Sequence, residues 1–303
     1  MIDTVAERAP GSQDDDIGAL LMKGREVAVG IKQKCIEDIS ALKAKHGLLP
    51  GLAVVRLGDD SASLSYASRI EEAFGKAGLT VTIVALPATA SRAMLQSELG
   101  RLNVLPEIAG VIVQQPMPPH IGLDAITDTL DPNKDVDGIH PVNIGRLSLG
   151  LDCFVPATPA GGIAMLDYYG IPIEGKQALV IGRSGVVGRP FAQLLLARNA
   201  TVTIAHSRTR NLYDLVAGAE ILASAVGKPH LIKGDMLRPG AAVIDFGAAM
   251  VDGQMTGDVD YRSALDRVAA ITPVPGGTGP VTNAMLLKNT IKAIKRVMHD
   301  TSA

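Results

Sequence analysis

The segment KQALVIGRSGVVGRPFAQLLLARNATVTIAHSRT, residues Lys176–Thr209, decides the fold. An apolar run over Gln177–Ile181 leads into a glycine-rich turn, a helical pattern follows over Phe191–Arg198, and a second apolar run covers Thr201–Ala205. In this order, the turn presents backbone N–H groups and a helix N-terminus to a pyrophosphate. The segment therefore predicts a Rossmann-type domain that binds a dinucleotide.

The glycine-rich turn contains Gly182, Gly185 and Gly188. Their spacing is G-x-x-G-x-x-G, whereas the usual dinucleotide fingerprint is G-x-G-x-x-G. The turn by itself therefore also fits a packing turn of any α/β protein. The end of the second strand is more informative.

The residues after that second strand indicate which dinucleotide binds. Folds specific for NAD usually place an acid about 20 residues after the turn, where it binds the ribose hydroxyls. Here the strand is followed by His206, Ser207, Arg208 and Thr209, with no acid. Ser207 and Arg208, with Arg183 in the glycine turn, supply donors and positive charge for a 2′-phosphate. This favours NADP as the cofactor, unless Arg208 is only a solvated loop residue.

Composition and charge limit the class of protein. The chain has 303 residues, of which 47% are hydrophobic and 20% charged, so about two globular domains with packed cores are expected. The formal net charge of -2 is unlike the basic surface of a nucleic-acid-binding protein. No run of about 18 apolar residues occurs, so no membrane span is expected.

The N-terminal segment and the cysteines bear on cellular location. Residues 1–17 are acidic and lack the apolar run of a signal peptide, so we expect a mobile tail there. Cys35 and Cys153 are far apart and have no metal-ligand spacing, which fits a reducing cytosol and predicts no metal site. We therefore expect a cytoplasmic protein.

The first part of the chain predicts helices that alternate with strands. The helices are predicted over Gly18–Lys45, Ala62–Lys76 and Ser91–Leu102, and the strands over Gly51–Gly58, Leu79–Leu86 and Ile108–Val113. Ser91 is the predicted N-cap of the third helix. This alternation indicates an α/β fold with a parallel sheet and helical crossovers.

The segment Asp131–Pro159 interrupts the alternation. It is rich in Asp, Pro, Gly and Asn and is predicted to be a long connecting region, which in compact domains is often functional. Beyond it the pattern resumes. The further helices are predicted over Gly161–Tyr169, Leu212–Ala217 and Val281–Met298, and the further strands over Ile221–Val226 and Ala242–Phe246.

From about Gly24 to Arg296, the chain resembles the methylene-tetrahydrofolate dehydrogenase/cyclohydrolase family. The motifs that carry the resemblance in the first half are PGLAVVRLG (Pro50–Gly58), ASLSY (Ala62–Tyr66), GVIVQQPMP (Gly110–Pro118) and PNKDVDGIHPVNIGRL (Pro132–Leu147). Those in the second half are PATPAGG (Pro156–Gly162), GRSGVVGRP (Gly182–Pro190), TVTIAHSRT (Thr201–Thr209), AVGKP (Ala225–Pro229), GDVD (Gly257–Asp260) and ITPVPGGTGPVT (Ile271–Thr282).

The resemblance implies two α/β domains with a cleft between them. An N-terminal substrate domain, residues 18–154 plus 280–303, would bind a tetrahydrofolate derivative. A C-terminal Rossmann-type domain, residues 155–279, would bind NADP. The last helix would return to the N-terminal domain, and two chains would form a homodimer.

The resemblance also implies the site residues. The family's folate-site tyrosine, glutamine and aspartate correspond to Tyr66, Gln114 and Asp137. The residues expected to line the cleft are Gly276, Gly277 and Pro280. The family's cofactor positions correspond to Arg183, Ser184, Ser207 and Thr282. Each folate-site residue also has an ordinary alternative. Tyr66 fits a core tyrosine, Gln114 a polar residue at a strand end and Asp137 an aspartate in a turn.

Position 70 departs from the family pattern. The family has Tyr-x-x-x-Lys, with the lysine in the catalytic centre, but this chain has Ile70 four residues after Tyr66. A buried lysine can act as an acid or a base, and isoleucine can do neither. Arg69 could supply charge on the same helix face, but a guanidinium stays protonated in proteins and cannot shuttle a proton.

We therefore expect NADP-dependent oxidation of methylene-tetrahydrofolate to methenyl-tetrahydrofolate, with weak or absent cyclohydrolase activity. Hydrolysis needs acid–base help, whereas loss of a hydride to the nicotinamide needs no general base. Two alternatives stay open. One is a non-folate NADP oxidoreductase on the same scaffold, and the other is a non-catalytic member that binds folate or NADP.

Overall fold

The computed structural model describes residues 18–299, so the expected mobile tail at residues 1–17 lies outside the described range. The first elements in chain order are β1 (Leu20–Leu21), α1 (Gly24–His46), β2 (Gly51–Leu57), α2 (Ser61–Lys76), β3 (Val81–Leu86), α3 (Arg92–Val104), β4 (Ile108–Val113), α4 (Asp124–Thr127), α5 (Pro141–Ser148) and α6 (Ala157–Tyr168). The next are β5 (Gln177–Ile181), α7 (Gly188–Ala197), β6 (Thr201–Ala205), α8 (Leu212–Gly218), β7 (Ile221–Ser224), β8 (Ala242–Asp245), β9 (Ala249–Val251), β10 (Gln254–Thr256), α9 (Tyr261–Ala264), β11 (Ala270–Ile271) and α10 (Thr278–Val297).

The first sheet is parallel and has the strand order β3-β2-β4. Strands β2 and β4 read GLAVVRL and IAGVIV and are almost entirely buried, because helices cover both faces of the sheet. One face packs against α1, α2 and α10 around Ile70 and Phe74. The other face packs against α3 and α4 around Leu95 and Leu99. The parallel sheet predicted from the alternating pattern is thus confirmed.

The second sheet has six strands in the order β1-β11-β8-β7-β5-β6, all paired in parallel. Helices α6 and α7 cover one face around Met165 and Phe191, and α8 covers the other face around Val216. The chain runs from β5 to its neighbour β6 on one side and then to β7 on the other side. The strand order therefore reverses at β5, and such a switch point opens a crevice at the carboxyl ends of the strands.

Helix α10 joins the two halves of the molecule. Its residue Val281 lies in the core of the second sheet, whereas Leu286 and Ile294 lie in the core of the first. The Asn289 amide donates to the carbonyls of Val136 and Val155 at 2.8 Å each. The last helix therefore packs against the first sheet's unit, as the resemblance implies. The exact division between the two domains stays a prediction.

The chain before α1 differs from the prediction. A helix was expected from Gly18, but Leu20–Leu21 form a two-residue strand that pairs with Ala270–Ile271, and α1 begins only at Gly24. Met22, which follows the strand, is completely buried in the core of the second sheet. A short apolar run fits a strand and a helix equally well, and the open edge of the sheet decides between them. These residues pack with the six-stranded sheet, although the predicted division assigns them to the substrate domain.

The segment Asp131–Pro159 is also more ordered than expected. It contains α5, which has Pro141 at its first position and is capped by the His140 ring, whose Nδ1 accepts from Val142 N at 3.1 Å. Proline is common at the first position of a helix, but the many turn-forming residues around Pro141 favoured a loop in the prediction. His140 therefore caps a helix in the structure. Helix α6 likewise begins at Ala157, before the predicted start.

Two local features complete the comparison with the sequence. The predicted N-cap is confirmed, since Ser91 Oγ accepts from Met94 N at 3.1 Å. The hairpin β9–β10 was not predicted, although its turn residues Asp252 and Gly253 have φ values of 49° and 78°, as two-residue hairpins require. Within residues 18–299, no helix is both long and apolar enough to cross a membrane.

Candidate active site

Gln114 lies at the carboxyl end of β4 and faces α2. Its backbone N–H donates to the Val55 carbonyl at 2.9 Å, so the strand geometry continues through it. Side chains alternate along a strand, and Ile112 lies in the core that contains Ile70, whereas Val113 lies in the opposite core. Gln114 therefore points toward the side of the sheet that α2 covers.

The Gln114 amide has no partner in the described part of the chain. The residue is only 4% exposed, and neither its Oε1 nor its Nε2 makes a hydrogen bond. Leaving a buried polar group unpaired costs about 1–3 kcal/mol. An amide held in this way is poised to donate to and accept from a molecule that enters beside it.

Helix α2 supplies Tyr66 and Ile70 to the same place. The Asp60 carboxylate caps the helix by accepting from Ser63 N at 3.0 Å. One helical turn separates Tyr66 from Ile70, so both side chains face the sheet. Ile70 is 2% exposed and belongs to the apolar core, while Tyr66 is half-buried at the margin of that core. The Arg69 guanidinium is exposed and lies 6.0 Å from the centre of the Tyr66 ring.

Asp137 follows Asp135 by two residues, in a segment that pairs with Val111 of β4. Asp135 is completely buried and accepts from Ile139 N, His140 N and the Asn143 amide. Asp137 itself is half-buried, and its carboxylate has no hydrogen-bond partner among residues 18–299. Burial and, secondly, the charge of Asp135 raise the pKa of Asp137 to about 7.

Tyr66 and Asp137 are close enough to influence each other. Burial and then the charge of Asp137 raise the pKa of the Tyr66 hydroxyl to about 12. Tyr66 therefore lies near both Ile70 and Asp137, and the alternation along β4 directs Gln114 to the same side of the sheet. We call these four residues the α2–β4 cluster. It offers an aromatic face, an unpaired amide and a carboxyl group that titrates near neutrality, but no lysine.

The loop after β11 lies where the two halves meet. Gly276 has a φ of 104° and its carbonyl accepts from Gly24 N, while the buried Gly277 precedes the first turn of α10. Pro280 is half-buried in that first turn. The Thr282 hydroxyl lies 3.3 Å from the Thr158 hydroxyl and donates to the Thr278 carbonyl at 3.2 Å, so it links α10 with α6.

The turn between β5 and α7, residues 182–188, is shaped by close backbone contacts, and we call it the glycine turn. Gly182 has a φ of 120°, which disfavours any residue with a side chain, and a Cβ there would lie 2.6 Å from the Ala225 carbonyl oxygen. A Cβ on Gly188 would in turn collide with the Gly182 carbonyl. Both positions therefore require glycine, whereas Gly185 faces open space.

Hydrogen bonding at the glycine turn leaves donors free. The Ser184 hydroxyl accepts from Val187 N at 3.1 Å and from Gly188 N at 3.3 Å, so it caps the start of α7. The backbone N–H groups of residues 183–185 have no acceptor in the described chain. Free N–H groups beside a helix N-terminus are a ready site for a phosphate. This arrangement fits a dinucleotide.

The end of β6 lies next to the glycine turn, because β5 and β6 are neighbouring parallel strands. His206 and Thr209 shape it: His206 N donates to Thr209 Oγ1 at 2.8 Å, and the His206 Nδ1 accepts from Arg208 N at 3.1 Å. Ser207 and Arg208 are exposed at the tip, as is Arg183 in the glycine turn. Neither arginine pairs with a carboxylate of residues 18–299.

Sequence reasoning did not single out Asp245 and Asp258. Both are buried at the carboxyl edge of the second sheet, with 2% and 1% of their surface exposed. Burial raises the pKa of Asp245 to about 6, although three backbone N–H donors and the nearby Asp258 also act on it. The sequence does contain a signal for Asp245, since an acidic residue directly follows the apolar residues of β8.

Comparisons with known proteins agree with this geometry. Residues 22–137 match the catalytic domain, and residues 156–298 the NAD(P)-binding domain, of tetrahydrofolate dehydrogenase/cyclohydrolase. The bifunctional protein FolD of Herpetosiphon aurantiacus is 48% identical over 276 residues, which cover 91% of this chain and 96% of that protein. The FolD protein of Rhodospirillum rubrum is 46% identical over 92% of this chain and 98% of its own.

Solved structures show the same similarity. The bifunctional FolD enzyme of Campylobacter jejuni has a TM-score of 0.89 and 38% identity, with 92% of this chain and 99% of that chain covered. The Trypanosoma brucei enzyme, solved in complex with NADP cofactor and an inhibitor, has a TM-score of 0.88 and 37% identity, with 92% and 98% covered. The expected α/β fold and nicotinamide-dinucleotide domain are confirmed, and the chain belongs to the tetrahydrofolate dehydrogenase/cyclohydrolase family.

Proposed function

We propose that this chain oxidises methylene-tetrahydrofolate to methenyl-tetrahydrofolate with NADP and hydrolyses the methenyl product only weakly. The relatives carry the name of a bifunctional enzyme, and the division of the two activities in this chain is the new element. The observation that carries it is Ile70, which lies in the apolar core while the Gln114 amide beside the same core has no partner.

The α2–β4 cluster suits a flat substrate that carries both donors and acceptors. The half-buried ring of Tyr66 offers a face for stacking, which is worth about 0.5–1.5 kcal/mol beyond the area it buries. Asp137 would accept from the amino group and ring N–H of a pteridine, and Gln114 would donate and accept beside it. Because none of these polar groups is already engaged, each is available for a substrate.

The second sheet suits the cofactor. The free N–H groups of residues 183–185 would hold the pyrophosphate, and Arg183 and Arg208, neither of them paired with a carboxylate, would bind the 2′-phosphate that distinguishes NADP from NAD. Gly276 and Thr282, at the junction of the two halves, would lie toward the nicotinamide end. When bound, NADP supplies the hydride acceptor for the oxidation.

Oxidation tolerates the loss of the lysine better than hydrolysis does. The methenyl product is a conjugated cation, and the folate nitrogen helps to expel the hydride, so this chain needs only to align the two molecules. Hydrolysis requires that an attacking water lose a proton and that a nitrogen gain one. General acid–base help in such a step is worth about 10²–10⁴-fold. Ile70 cannot provide this help, and Arg69 cannot accept a proton.

The test is methenyl-tetrahydrofolate hydrolysis, corrected for the spontaneous rate, in the natural chain and in Ile70→Lys. We expect the natural chain to stay close to the spontaneous rate. Ile70→Lys should raise hydrolysis by about tenfold or more, because the new ammonium can pair with Gln114 and exchange protons. The matched control is Ile70→Met, which extends the side chain without a group that can exchange protons and should leave hydrolysis unchanged.

Robust hydrolysis by the natural chain would contradict the proposal. It would point to Asp137, whose raised pKa makes it the titrating group of the cluster, as a substitute for the lysine. Failure to bind tetrahydrofolate in a titration would favour the alternative of a non-folate oxidoreductase. Binding of folate and NADP without any turnover would favour the non-catalytic alternative.

We also propose a homodimer, as the family resemblance implies. The hairpin β9–β10 supports association, since Met250, Val251 and Met255 on it are exposed. Burial of such apolar side chains is a usual reason for subunits to associate. Sedimentation of the purified chain should give twice the mass of 31.5 kDa, and a single-chain mass would contradict this proposal.

A further inference from the structure

Asp245 binds two separate segments at the carboxyl edge of the second sheet. Its carboxylate accepts from Gly247 N at 2.7 Å in its own segment. It also accepts from Asp258 N at 3.1 Å and Val259 N at 2.8 Å in the segment that follows the hairpin β9–β10. Its own N–H donates to the Thr272 hydroxyl at 2.8 Å, just after β11. The ends of β8 and β11 and the foot of the hairpin are therefore tied together.

Asp258 extends these bonds to a further segment. Its carboxylate accepts from the Ser224 hydroxyl at 2.9 Å, from Val226 N at 2.8 Å and from Lys228 N at 2.7 Å. These three donors span the end of β7 and the loop that follows it. A carboxylate that accepts several N–H bonds in a buried place holds their positions firmly, because each unpaired donor would be costly.

The contacts leave little room for adjustment. A Cβ on Gly247 would lie 2.5 Å from the Asp258 Oδ1, and a Cβ on Gly257 would collide with the Asp245 carboxylate. Each carboxylate therefore rests directly against the backbone of the other's segment. We call Asp245 and Asp258 the aspartate brace.

The brace reaches the glycine turn through the backbone of Ala225. The loop that Asp258 holds, Ser224 to Lys228, includes Ala225, whose N–H donates to the Ile181 carbonyl at 2.8 Å. The Ala225 carbonyl oxygen is also the atom that leaves no space for a side chain on Gly182. The position of this loop therefore sets the conformation of the turn directly after Ile181.

We propose that Asp245 and Asp258 are positioning residues for the dinucleotide, acting through the loop Ser224–Lys228 on the glycine turn. The inference rests on the cofactor assignment in the proposed function but not on the folate reaction. Neither carboxylate touches the dinucleotide in this scheme. Each acts through the backbone that would hold the pyrophosphate.

The decisive variant is Asp258→Asn. It keeps the size of the side chain but turns an NH₂ group toward one of the N–H donors that the carboxylate accepts, so the loop must shift. We expect the Kd for NADP, measured by titration calorimetry without folate, to rise about tenfold. The KM for NADP should rise similarly, while kcat at saturating NADP should change less than about twofold.

The matched control is Asp135→Asn, which is the same change at a buried carboxylate of the first unit. Asp135 also accepts three bonds, from Ile139 N, His140 N and Asn143. We expect it to lower Tm as Asp258→Asn does but to leave the Kd for NADP unchanged. A merely structural role for Asp258 would affect both variants alike, so the separation of Kd from Tm tests positioning.

A milder variant covers the case in which Asp258→Asn does not fold. Ser224→Ala removes one donor to Asp258 and leaves both carboxylates in place. We expect the Kd for NADP to rise about twofold to fivefold. An unchanged Kd in folded Asp258→Asn would overturn the inference, and so would an unchanged Kd in Ser224→Ala if Asp258→Asn does not fold.

The outcomes separate this inference from the proposed function. If the natural chain binds NADP but does not oxidise methylene-tetrahydrofolate, the proposed reaction fails and the Kd values of the variants still decide the inference. If the natural chain binds neither NADP nor NAD, the cofactor assignment and the inference are both overturned.

Discussion

The two edges that face the predicted cleft are built in different ways. At the glycine turn, the shape comes from backbone contacts, and the side chains of Ser184 in the turn and Asp258 behind it both accept hydrogen bonds from the protein. In the α2–β4 cluster, Gln114 and Asp137 are held in place but have no partners of their own. The first edge therefore offers a ligand free backbone N–H groups, whereas the second offers unpaired side chains.

This difference bears on where the chain departs from its family. The glycine turn keeps Arg183 and Ser184, two of the residues that the resemblance implies for the cofactor. The departure at Ile70 falls in the α2–β4 cluster, where the proposed change of activity comes from one side chain. An edge made of side chains can therefore change its activity by one substitution.

The largest effect is expected from Asp137→Asn, which tests the folate side alone. The amide can accept one bond from the pteridine but presents an NH₂ group where a second acceptor is needed. We expect kcat/KM for methylene-tetrahydrofolate to fall about 100-fold, while the Kd for NADP stays within about twofold. Steady-state kinetics and calorimetry check this, with Asp128→Ala, an exposed aspartate of the same unit, as the control.

The same variant should change the pH dependence of stability. Because the pKa of Asp137 is raised to about 7, the native state keeps this proton at pH values where the unfolded chain has lost it. The free energy of unfolding should therefore fall as the pH rises from about 4 to about 7 and stay level above that. Asp137→Asn should remove this slope and be about 1–2 kcal/mol more stable than the natural chain at pH 8.

The measurement is urea unfolding at about pH 4.5, near the lower end of that pH range, and at about pH 8, above its upper end. The two proteins should differ at the higher pH and converge at the lower. Equal pH slopes would show that Asp137 is not the titrating group, and an unchanged kcat/KM would remove it from the site.

The next effect concerns the dinucleotide edge. Arg183→Ala should weaken NADP by about 10–100-fold, since a charge-assisted contact to phosphate is worth about 1.5–3 kcal/mol. NAD, which lacks the 2′-phosphate, should be affected little. Calorimetry with both dinucleotides measures this, and Arg198→Ala at the end of α7, where the arginine pairs with Asp167, is the control. An equal loss for both dinucleotides would refute the assignment to the 2′-phosphate.

The smallest effect, and the sharpest contrast between the edges, is expected from Gln114→Met. Methionine has a similar volume and no polar atoms to leave unpaired, so the free energy of unfolding should rise by about 1 kcal/mol. The affinity for folate should fall at the same time. Chemical denaturation checks the first and a folate titration the second. A less stable variant would mean that the Gln114 amide has a partner in solution.

The sequence predicts the framework of both halves because the signals are local. Strands such as Ile108–Val113 and Thr201–Ala205 are apolar runs with turn residues near their ends, and their bounds agree with the structure. The start of the chain could not be predicted in this way, since Leu20–Leu21 become a strand only because β11 leaves an edge to pair with.

For the site, the sequence supplies candidate residues but not their physical state. The resemblance identifies Gln114 and Asp137, yet their missing partners and the raised pKa of Asp137 arise from what surrounds them in three dimensions. The aspartate brace depends on donors such as Ser224, 34 residues before Asp258 in the chain. No pattern over a short window can show such a contact.

The exchange of chain ends between the two units has a consequence for synthesis. Residues Leu20–Leu21 leave the ribosome early, but their partner β11 is made only near the end of the chain. The first unit waits in the same way for α10, because Asn289 bonds to carbonyls that lie 153 and 134 residues earlier. Such long-range contacts delay folding, so we expect the part of the first unit's core that α10 covers to stay exposed until that helix is made. We therefore expect each half to complete its core only after its late-made partner, β11 or α10, has been synthesised.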